Sequence, residues 1–586
     1  MLRKFLLVGA IQGVALLLLW ETRELHIWRS TDTLIERGLL YLVLALPLAI
    51  YLTERITSLS RRRRLQVLVI IAVLFPLLGA YSGWVGEAAI FDPDTNKGDL
   101  LRASDIFAAA ILGFILTPLL VHFNSRTRSW SYHELFETAW RNAVLCISAF
   151  FLSSIFWLIL FAGSKLMGLI GLDLVEYLID TPLFYFPMSG IAFAVAYAMC
   201  LERAEMVMML RRFKLSMLAW LLPLLLLFAV AWVSALPFTG VELLFKTHIA
   251  AFILLWCAAL CISFVNAAYQ DGMTAPPYGK YLSKALAWGW LSLPVVVAVA
   301  GWAMWLRVEQ YGLSEDRVWG LFVWLAVTLH VLGYAASALR SKGWLASIGK
   351  TNMWSAVAMC IGLIALLTPI ADPRRISVNN QMARLTSQIT PSDKFDFDYL
   401  RWHAGKYGLE SLRKIESGIS HPESGVLAIK AKQILAQKQR YQAAESVKTL
   451  SLDDLRTLIR VLPKNSPQRD KVLTAIQAEI SDWSLQQCFV STTTCAVWLT
   501  DLNADGHPDA VVIINPDLRM APTAHVLQYH KNGYQLIGNM NFPDKTTYEQ
   551  LLALIEQNKF KIVLPHWHEV EISGERLQIK LDKLRK

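Results

Sequence analysis

Eleven apolar stretches, each followed by a short polar loop, occupy the first 371 positions of this chain and then cease. A hydrocarbon core takes about 20 residues of helix to cross, and a chain in lipid must satisfy every backbone N–H and C=O within itself. The stretches are Phe5–Trp20, Leu39–Leu52, Leu65–Gly86, Asp105–His122, Ala143–Gly163, Leu183–Cys200, Leu215–Leu236, His248–Ala268, Ala285–Leu306, Val318–Ala338 and Met353–Pro369. The first two are short for a span, so their helices are expected to extend into the flanks. From Asp372 to Lys586 no spanning stretch recurs. The expected fold class is therefore a polytopic α-helical membrane protein of about 11 transmembrane helices with a C-terminal soluble α+β domain. The expected divisions are 1–371 in the membrane, 372–483 helical and 484–586 β-rich. Charged residues make up 17% of the chain, against about a quarter in soluble domains.

Lys and Arg in the loops set the orientation of such a chain. With the N-terminus inside, 19 basic residues fall in inside segments and 9 in outside ones, and the assignment alternates at every loop. An odd number of spans then puts the C-terminal region outside, in the periplasm of a Gram-negative inner membrane. Arg3 and Lys4 ahead of an apolar run resemble the opening of a secretory signal, but Trp20-Glu21-Thr22-Arg23 supplies no small-residue cleavage site, so a retained anchor is expected. The net charge of +10 is explained by topology, and Arg61–Arg64 reads as an anchor at anionic head groups. No nucleic-acid partner is expected.

The spans carry little chemistry. No Asp or Glu falls in the interior of a stretch; Asp105, Glu87, His122 and His248 lie at ends. His330 is the one titratable side chain well inside, and is expected neutral and hydrogen-bonded to a neighbouring helix. Asn266 and Gln12 read the same way. Pro47, Pro76, Pro118, Pro223 and Pro294 interrupt spans, which membrane helices tolerate. Cys257 and Cys261 lie one turn apart without a His or carboxylate beside them. The segment Lys165–Thr181 is semi-apolar and suits the outer interface. Phe91–Asp99 carries carboxylates at cation-ligand spacing, but its Gly is displaced, and a solvated turn is expected.

The tail changes character twice. Residues 376–483 read as helices, with Ser451 as an N-cap and Asp454 three residues on. From Cys495 the pattern becomes strands: Ala496–Thr500 and Ala510–Ile514 flank Asp501-Leu-Asn-Ala-Asp-Gly-His-Pro-Asp509. Asp501, Asn503 and Asp505, the His507 carbonyl and Asp509, with Gly506 for the turn, make a calcium cage of the expected spacing. Val512 stands where an EF-hand needs its bidentate Glu. The loop resembles those of integrin-type FG-GAP repeats, which implies structural calcium. One copy alone does not support a propeller. A hairpin turning at Asn532-Gly533 follows. Cys488 and Cys495 suit a local disulfide in an oxidising compartment; the other reading is two small core residues. His566 and His568 share one face of an expected strand, without a third ligand nearby.

The strings Met1-Leu-Arg-Lys-Phe-Leu-Leu-Val-Gly-Ala-Ile-Gln-Gly13, Thr181-Pro-Leu-Phe-Tyr-Phe-Pro-Met-Ser-Gly190 and Lys394-Phe-Asp-Phe-Asp-Tyr-Leu-Arg-Trp-His-Ala-Gly-Lys-Tyr-Gly408 resemble the bacterial inner-membrane family of domain of unknown function 4153. The resemblance implies location and architecture, and no activity. No Ser/His/Asp order, phosphate-cradling Gly loop or His-Glu-x-x-His run occurs. The expectation is a non-enzymatic envelope protein whose partners are the bilayer and a periplasmic or membrane protein. The alternative is a transporter or flippase of a lipid-like or neutral substrate. A membrane-embedded enzyme ranks third, because it would need His, Asp or Glu converging at one leaflet.

Overall fold

The computed structural model describes residues 2–25, 33–56, 59–86, 102–124, 127, 129–241, 249–273, 276–340, 345–437, 450–478, 488, 494–515, 522–530, 533–542, 547–562, 570–572 and 575–577. Apolar stretches with no water to satisfy their backbone become helices: α1 (Leu2–Glu24), α2 (Thr33–Leu52), α3 (Arg61–Gly86), α4 (Ala103–His122) and α5 (Tyr132–Gly168). After a short α6 (Leu174–Asp180) come α7 (Pro182–Glu202), α8 (Ala204–Thr239) and α9 (Ala250–Tyr269). Then follow α10 (Lys280–Gly289), α11 (Leu293–Tyr311), α12 (Glu315–Leu339) and α13 (Ile348–Leu366). With α10 and α11 joined through the 3-10 turn Trp290–Ser292, the described residues hold 11 helices long and apolar enough to span a membrane. The first two helices extend into their flanks as expected. The loop Phe91–Asp99 and the pair His566 and His568 lie outside the described residues.

Two compact units form. One comprises Met1–Ser387 with Tyr399–Ser411, the other Gln388–Asp398 with Leu412–Lys586.

Between helices in lipid there is little hydrophobic drive, so small residues that let backbones touch matter most. In the first unit, Gly9 and Gly13 of α1 meet α7. A Cβ on Gly9 would stand 2.4 Å from the Gly190 carbonyl oxygen, and one on Gly13 would stand 2.5 Å from that of Phe186. Two of the three strings that carried the family resemblance are thus the two faces of one helix–helix contact. α2 and α3 repeat the device, with Gly79 against the Arg37 carbonyl and Gly83 against that of Thr33.

Large apolar side chains fill the rest. Trp290, Leu293, Val296, Ala300, Val331 and Tyr334 are buried in one cluster. Its polar atoms are paired: Trp290 donates to the Val331 carbonyl, and Asn266, Tyr334, Asn352 and Tyr132 form one hydrogen-bonded chain across α9, α12, α13 and α5. Gln12 reaches the Val43 carbonyl on α2. His330 differs from expectation, since its Nδ1 lies 2.7 Å from the Ala326 carbonyl of its own helix. A carbonyl one turn back is the acceptor already in reach.

The amphipathic helix α14 (Pro373–Thr386) belongs to this unit although hydropathy falls at Pro369. Its N-cap, Asp372, is wholly buried and accepts from the Arg374 backbone N–H at 2.8 Å, the Arg374 guanidinium at 2.9 Å and the Tyr81 hydroxyl at 2.7 Å. Arg374 also lies 3.7 Å from the buried Asp105, and Arg102 pairs with Glu315. Burial alone would favour the neutral guanidine. Asp372 and Asp105 outweigh it, raising the Arg374 pKa. These ties join α3, α4, α12 and α14 at the end of the bundle opposite the Arg61–Arg64 cluster.

The second unit is a mixed five-stranded sheet in the order β1 (Arg460–Leu462), β2 (Thr494–Thr500), β3 (Asp509–Asn515), β4 (Thr523–His530) and β5 (Gly533–Asn541). β1 runs parallel to β2 and the other neighbours are antiparallel. Alternation decides the faces. Cys495, Val497, Leu499, Val512 and Ile514 pack under α17 (Leu452–Leu458) and α18 (Arg469–Ala478), while Ala496, Val511 and Ile513 pack on α19 (Tyr548–Glu556). Both faces of β3 are therefore covered, which is why it reads as an unbroken apolar run. α15 (Gly405–Glu416), whose residues up to Ser411 belong to the first unit, α16 (Ser424–Ala436) and a two-stranded ribbon of β6 (Val570–Ile572) and β7 (Glu575–Leu577) complete the described α-helices and strands.

The expectation of helices alone through 376–483 is corrected at β1. Pro463 disfavours helix at the residue before it, and Arg460–Leu462 pairs with Ala496–Trp498 instead. The Ser451 capping box forms as expected, and Cys488 is bonded to Cys495.

Candidate functional site: a polar pocket at the arginine-rich end of the bundle

Helix C-termini leave carbonyls unsatisfied and partly negative. α2, α4 and α7 all finish at the end that carries Arg61–Arg64, and arginines answer them. Arg141 of α5 donates to the Leu52 and Glu54 carbonyls at 3.0 and 3.2 Å. Arg55 donates to that of Leu201, and Arg63 to those of Leu120 and Phe123. Arg64 and Lys4 share the Glu54 carboxylate. The basic residues on which the expected orientation rests also cap helices, a role their loop positions alone did not show.

Among these ends lies a cavity of about 320 Å³. Its polar wall comes largely from the first turns of α5, where His133, Glu134, Glu137, Thr138 and Arg141 precede the apolar run. Leu145, Leu201 and Met208 supply an apolar wall, and Arg55, His122, Cys200 and Arg211 also face it. His122 Nε2 lies 2.7 Å from the Thr138 hydroxyl, and its other nitrogen 3.5 Å from Glu134. Arg211 of α8 grips both oxygens of Glu137, one at 2.6 Å, with its guanidinium over the Phe136 ring. His133 Nδ1 lies 3.0 Å from Asp271 Oδ2, just past the end of α9. One ligand atom each from His133, Glu137 and Asp271 lies within 4.8 Å of the others.

This is a convergence of His, Asp and Glu at one end of the spans, the feature that a membrane-embedded site requires. None of these three residues was singled out from the sequence. His133 and Glu137 are four apart and share a helix face, which was a readable signal. Asp271 is 138 positions away, and no local pattern links it to them. A second cavity of about 270 Å³, among α2, α3 and α4, is almost wholly apolar, with Tyr41 and Thr117 its few polar residues.

The residues expected to hold calcium occupy the connection from β2 to β3. The Asp501 carboxylate accepts from the backbone N–H groups of Asp505 and Gly506, and the Asn503 amide oxygen accepts from Asp505 N–H. Asp505 Oδ1 accepts from His507 N–H at 2.8 Å, which holds its carboxyl below the usual range. Gly506 takes a φ of +84°, as such a turn needs. The side chains of Asn503, Asp505 and His507 are exposed. Asp509 is buried, its two oxygens accepting from the N–H groups of Leu502 and Tyr529. Asp501, Asn503 and Asp505 thus use their oxygens to hold the turn through backbone N–H groups, while Asp509 clamps the loop to β4.

No curated protein and no solved structure matches the chain. A family model does match residues 88–415. That is more than half of the 586-residue chain, from 15 positions ahead of α4 to the last turn of α15, and it includes every residue that lines the polar pocket except Arg55 and Ile56. This multi-pass membrane protein belongs to the family described as Domain of unknown function (DUF4153).

Proposed function

We propose that the chain is a non-enzymatic envelope protein, with a membrane bundle as anchor and the sheet-bearing second unit as its interaction module. The observation that carries this reading is how the bundle uses its polar groups. Asp372, Arg374 and Asp105 are tied together, Arg102 to Glu315, Asn266 to Tyr334 and Asn352, and His330 to its own helix. Ion coupling uses ionisable groups at mid-bilayer, and these are ends or satisfied pairs; His133, Glu137 and Asp271 also stand at one end of the spans, His133 paired with Asp271 and Glu137 with Arg211. The reading places the chain in a bacterial inner membrane with the N-terminus cytoplasmic and the second unit periplasmic. The 501–509 loop then holds calcium for structure.

Crosslinking in native membranes tests the anchor role. The full chain should capture a protein that a chain ending at Ser411, which keeps the first unit whole, does not. Capture independent of the second unit would remove the reading. Alkaline phosphatase fused after Lys586 should be active and after Arg64 inactive; the reverse pattern inverts the topology. Millimolar calcium should raise the melting temperature of the full chain, and Asp505→Ala should abolish the rise.

One observation favours a second reading. The apolar cavity among α2, α3 and α4 has the lining an acyl chain prefers, as a lipid transporter or flippase would need. Reconstituted protein that accelerates lipid exchange between leaflets would support it.

A further inference from the structure

We infer that His133, Glu137 and Asp271 form a binding site for a divalent transition-metal ion at the mouth of the polar pocket. Three observations carry the assignment. First, the donors are of the right kind. One imidazole nitrogen and two carboxylates suit zinc, manganese or iron, and three protein ligands leave a position open for water or substrate.

Second, the donor atoms already gather within reach of one ion. Ligands about 2.1 Å from a tetrahedral ion stand about 3.4 Å from one another. The His133–Asp271 pair is at 3.0 Å, and all three donor atoms fall within 4.8 Å. His133 and Glu137 side chains are 48% and 39% exposed, so both have room to turn toward a common ion.

Third, the backbone beneath the donors is held in place. Tyr132, next to His133, accepts from Asn352 at 2.9 Å, and Asn352 also donates to Asn266 of α9 at 2.6 Å. The Tyr132 ring packs 6.0 Å from that of Tyr269, two residues before Asp271. The start of α5 and the end of α9 are therefore tied together where each presents a ligand. Met273 N–H binds Asp271 Oδ1 and leaves Oδ2 toward His133. Arg211 on Glu137 orients that carboxylate, as outer-shell partners of metal ligands do. Both Glu137 oxygens are bonded to Arg211 here, so ion binding would free one of them while the other stays with Arg211. The site opens on the 320 Å³ cavity, so a bound ion would meet whatever enters it.

The experiment uses the full chain in detergent, stripped with chelator and titrated with zinc by calorimetry, then loaded with cobalt(II) for absorption spectroscopy. One saturable zinc site is expected. It should weaken at least tenfold in His133→Ala and in Asp271→Asn and be unchanged in Asp505→Ala. Cobalt should give a nitrogen–oxygen spectrum without thiolate absorption, which separates the site from Cys200 in the same cavity. A wild-type chain with no saturable zinc site overturns the assignment, as does a thiolate spectrum. So does affinity retained in both variants. The wild-type measurements decide the matter should either variant fail to fold.

Discussion

The bundle and the sheet-bearing unit are held together by opposite means. The bundle buries Asp105, Asp372 and Arg374 together with Arg37, and joins its helices through glycine contacts. The second unit buries one charged side chain among its described residues, Asp509, and fills its core with Val, Leu, Ile and Ala. The solvent explains the contrast. Lipid is as apolar as leucine, so burying leucine between helices gains little, and close backbone approach and polar pairing gain more. In water, covering apolar area is the main driving force, at about 25 cal/mol per Å².

The largest expected effect breaks the bundle's polar lock. Arg374→Met leaves Asp372 and Asp105 buried without their partner, at a cost of about 3–5 kcal/mol. Combining Arg374→Met with Asp105→Asn and Asp372→Asn should recover much of that loss, because the pairing mostly offsets its own desolvation cost. Unfolding of the solubilised full chain in denaturing detergent reads both. A single variant as stable as wild type would mean the lock is ornamental.

Next is the disulfide. Cys488 and Cys495 close a loop with a separation of 7, which constrains the unfolded chain by about 2.5 kcal/mol. Cys488→Ser should cost the second unit about that much in urea unfolding. Both thiols should label only after reduction, whereas labelling of unreduced protein would show them free.

How much of this was legible depended on range. The spans could be read because lipid demands about 20 apolar residues in a row, a wholly local signal. The Ser451 capping box and the 501–509 turn are local as well. The polar lock was not legible. Asp372 and Tyr81 are 291 positions apart, and Asp372-Pro-Arg-Arg375 reads as an ordinary exit from a last span. The His133–Glu137–Asp271 cluster escaped for the same reason. Gly9 and Gly190 sat in two strings that carried the family resemblance, but their meeting is a property of the packed helices.

That meeting supplies the third test. A Cβ at Gly190 would stand 2.2 Å from the Gly9 carbonyl oxygen, so Gly190→Leu must push α1 and α7 apart, at about 1–3 kcal/mol. Gly425, in α16 of the second unit, has nothing within 4 Å of the place a Cβ would take. There Gly425→Ala should stabilise by up to about 1 kcal/mol. Opposite signs for the two glycines would sharpen the contrast; equal signs would erase it.

The smallest effect concerns acid. In the second unit three carboxyls sit below their usual range. The Arg456 guanidinium lowers Asp470, and the His507 N–H lowers Asp505. For Asp454, burial pushes up but the Ser451 N–H and Lys432 outweigh it. A carboxyl whose folded pKa is depressed stabilises the fold fully above its unfolded value, about 3.9, and the contribution is lost as pH falls through the folded value. The unit should therefore be flat in stability from neutral pH to about 5 and decline below about 4. Arg374 stays protonated throughout, its pKa raised by Asp372 and Asp105 against burial. Hydrogen exchange of peptides from β2 and β3, corrected for intrinsic rates between pH 6 and about 3, reads the decline. Asp454→Asn together with Asp505→Asn should make it shallower, leaving the share of Asp470, since both groups then titrate in neither state. A decline equally steep in that double variant would place the acid sensitivity elsewhere in the sheet.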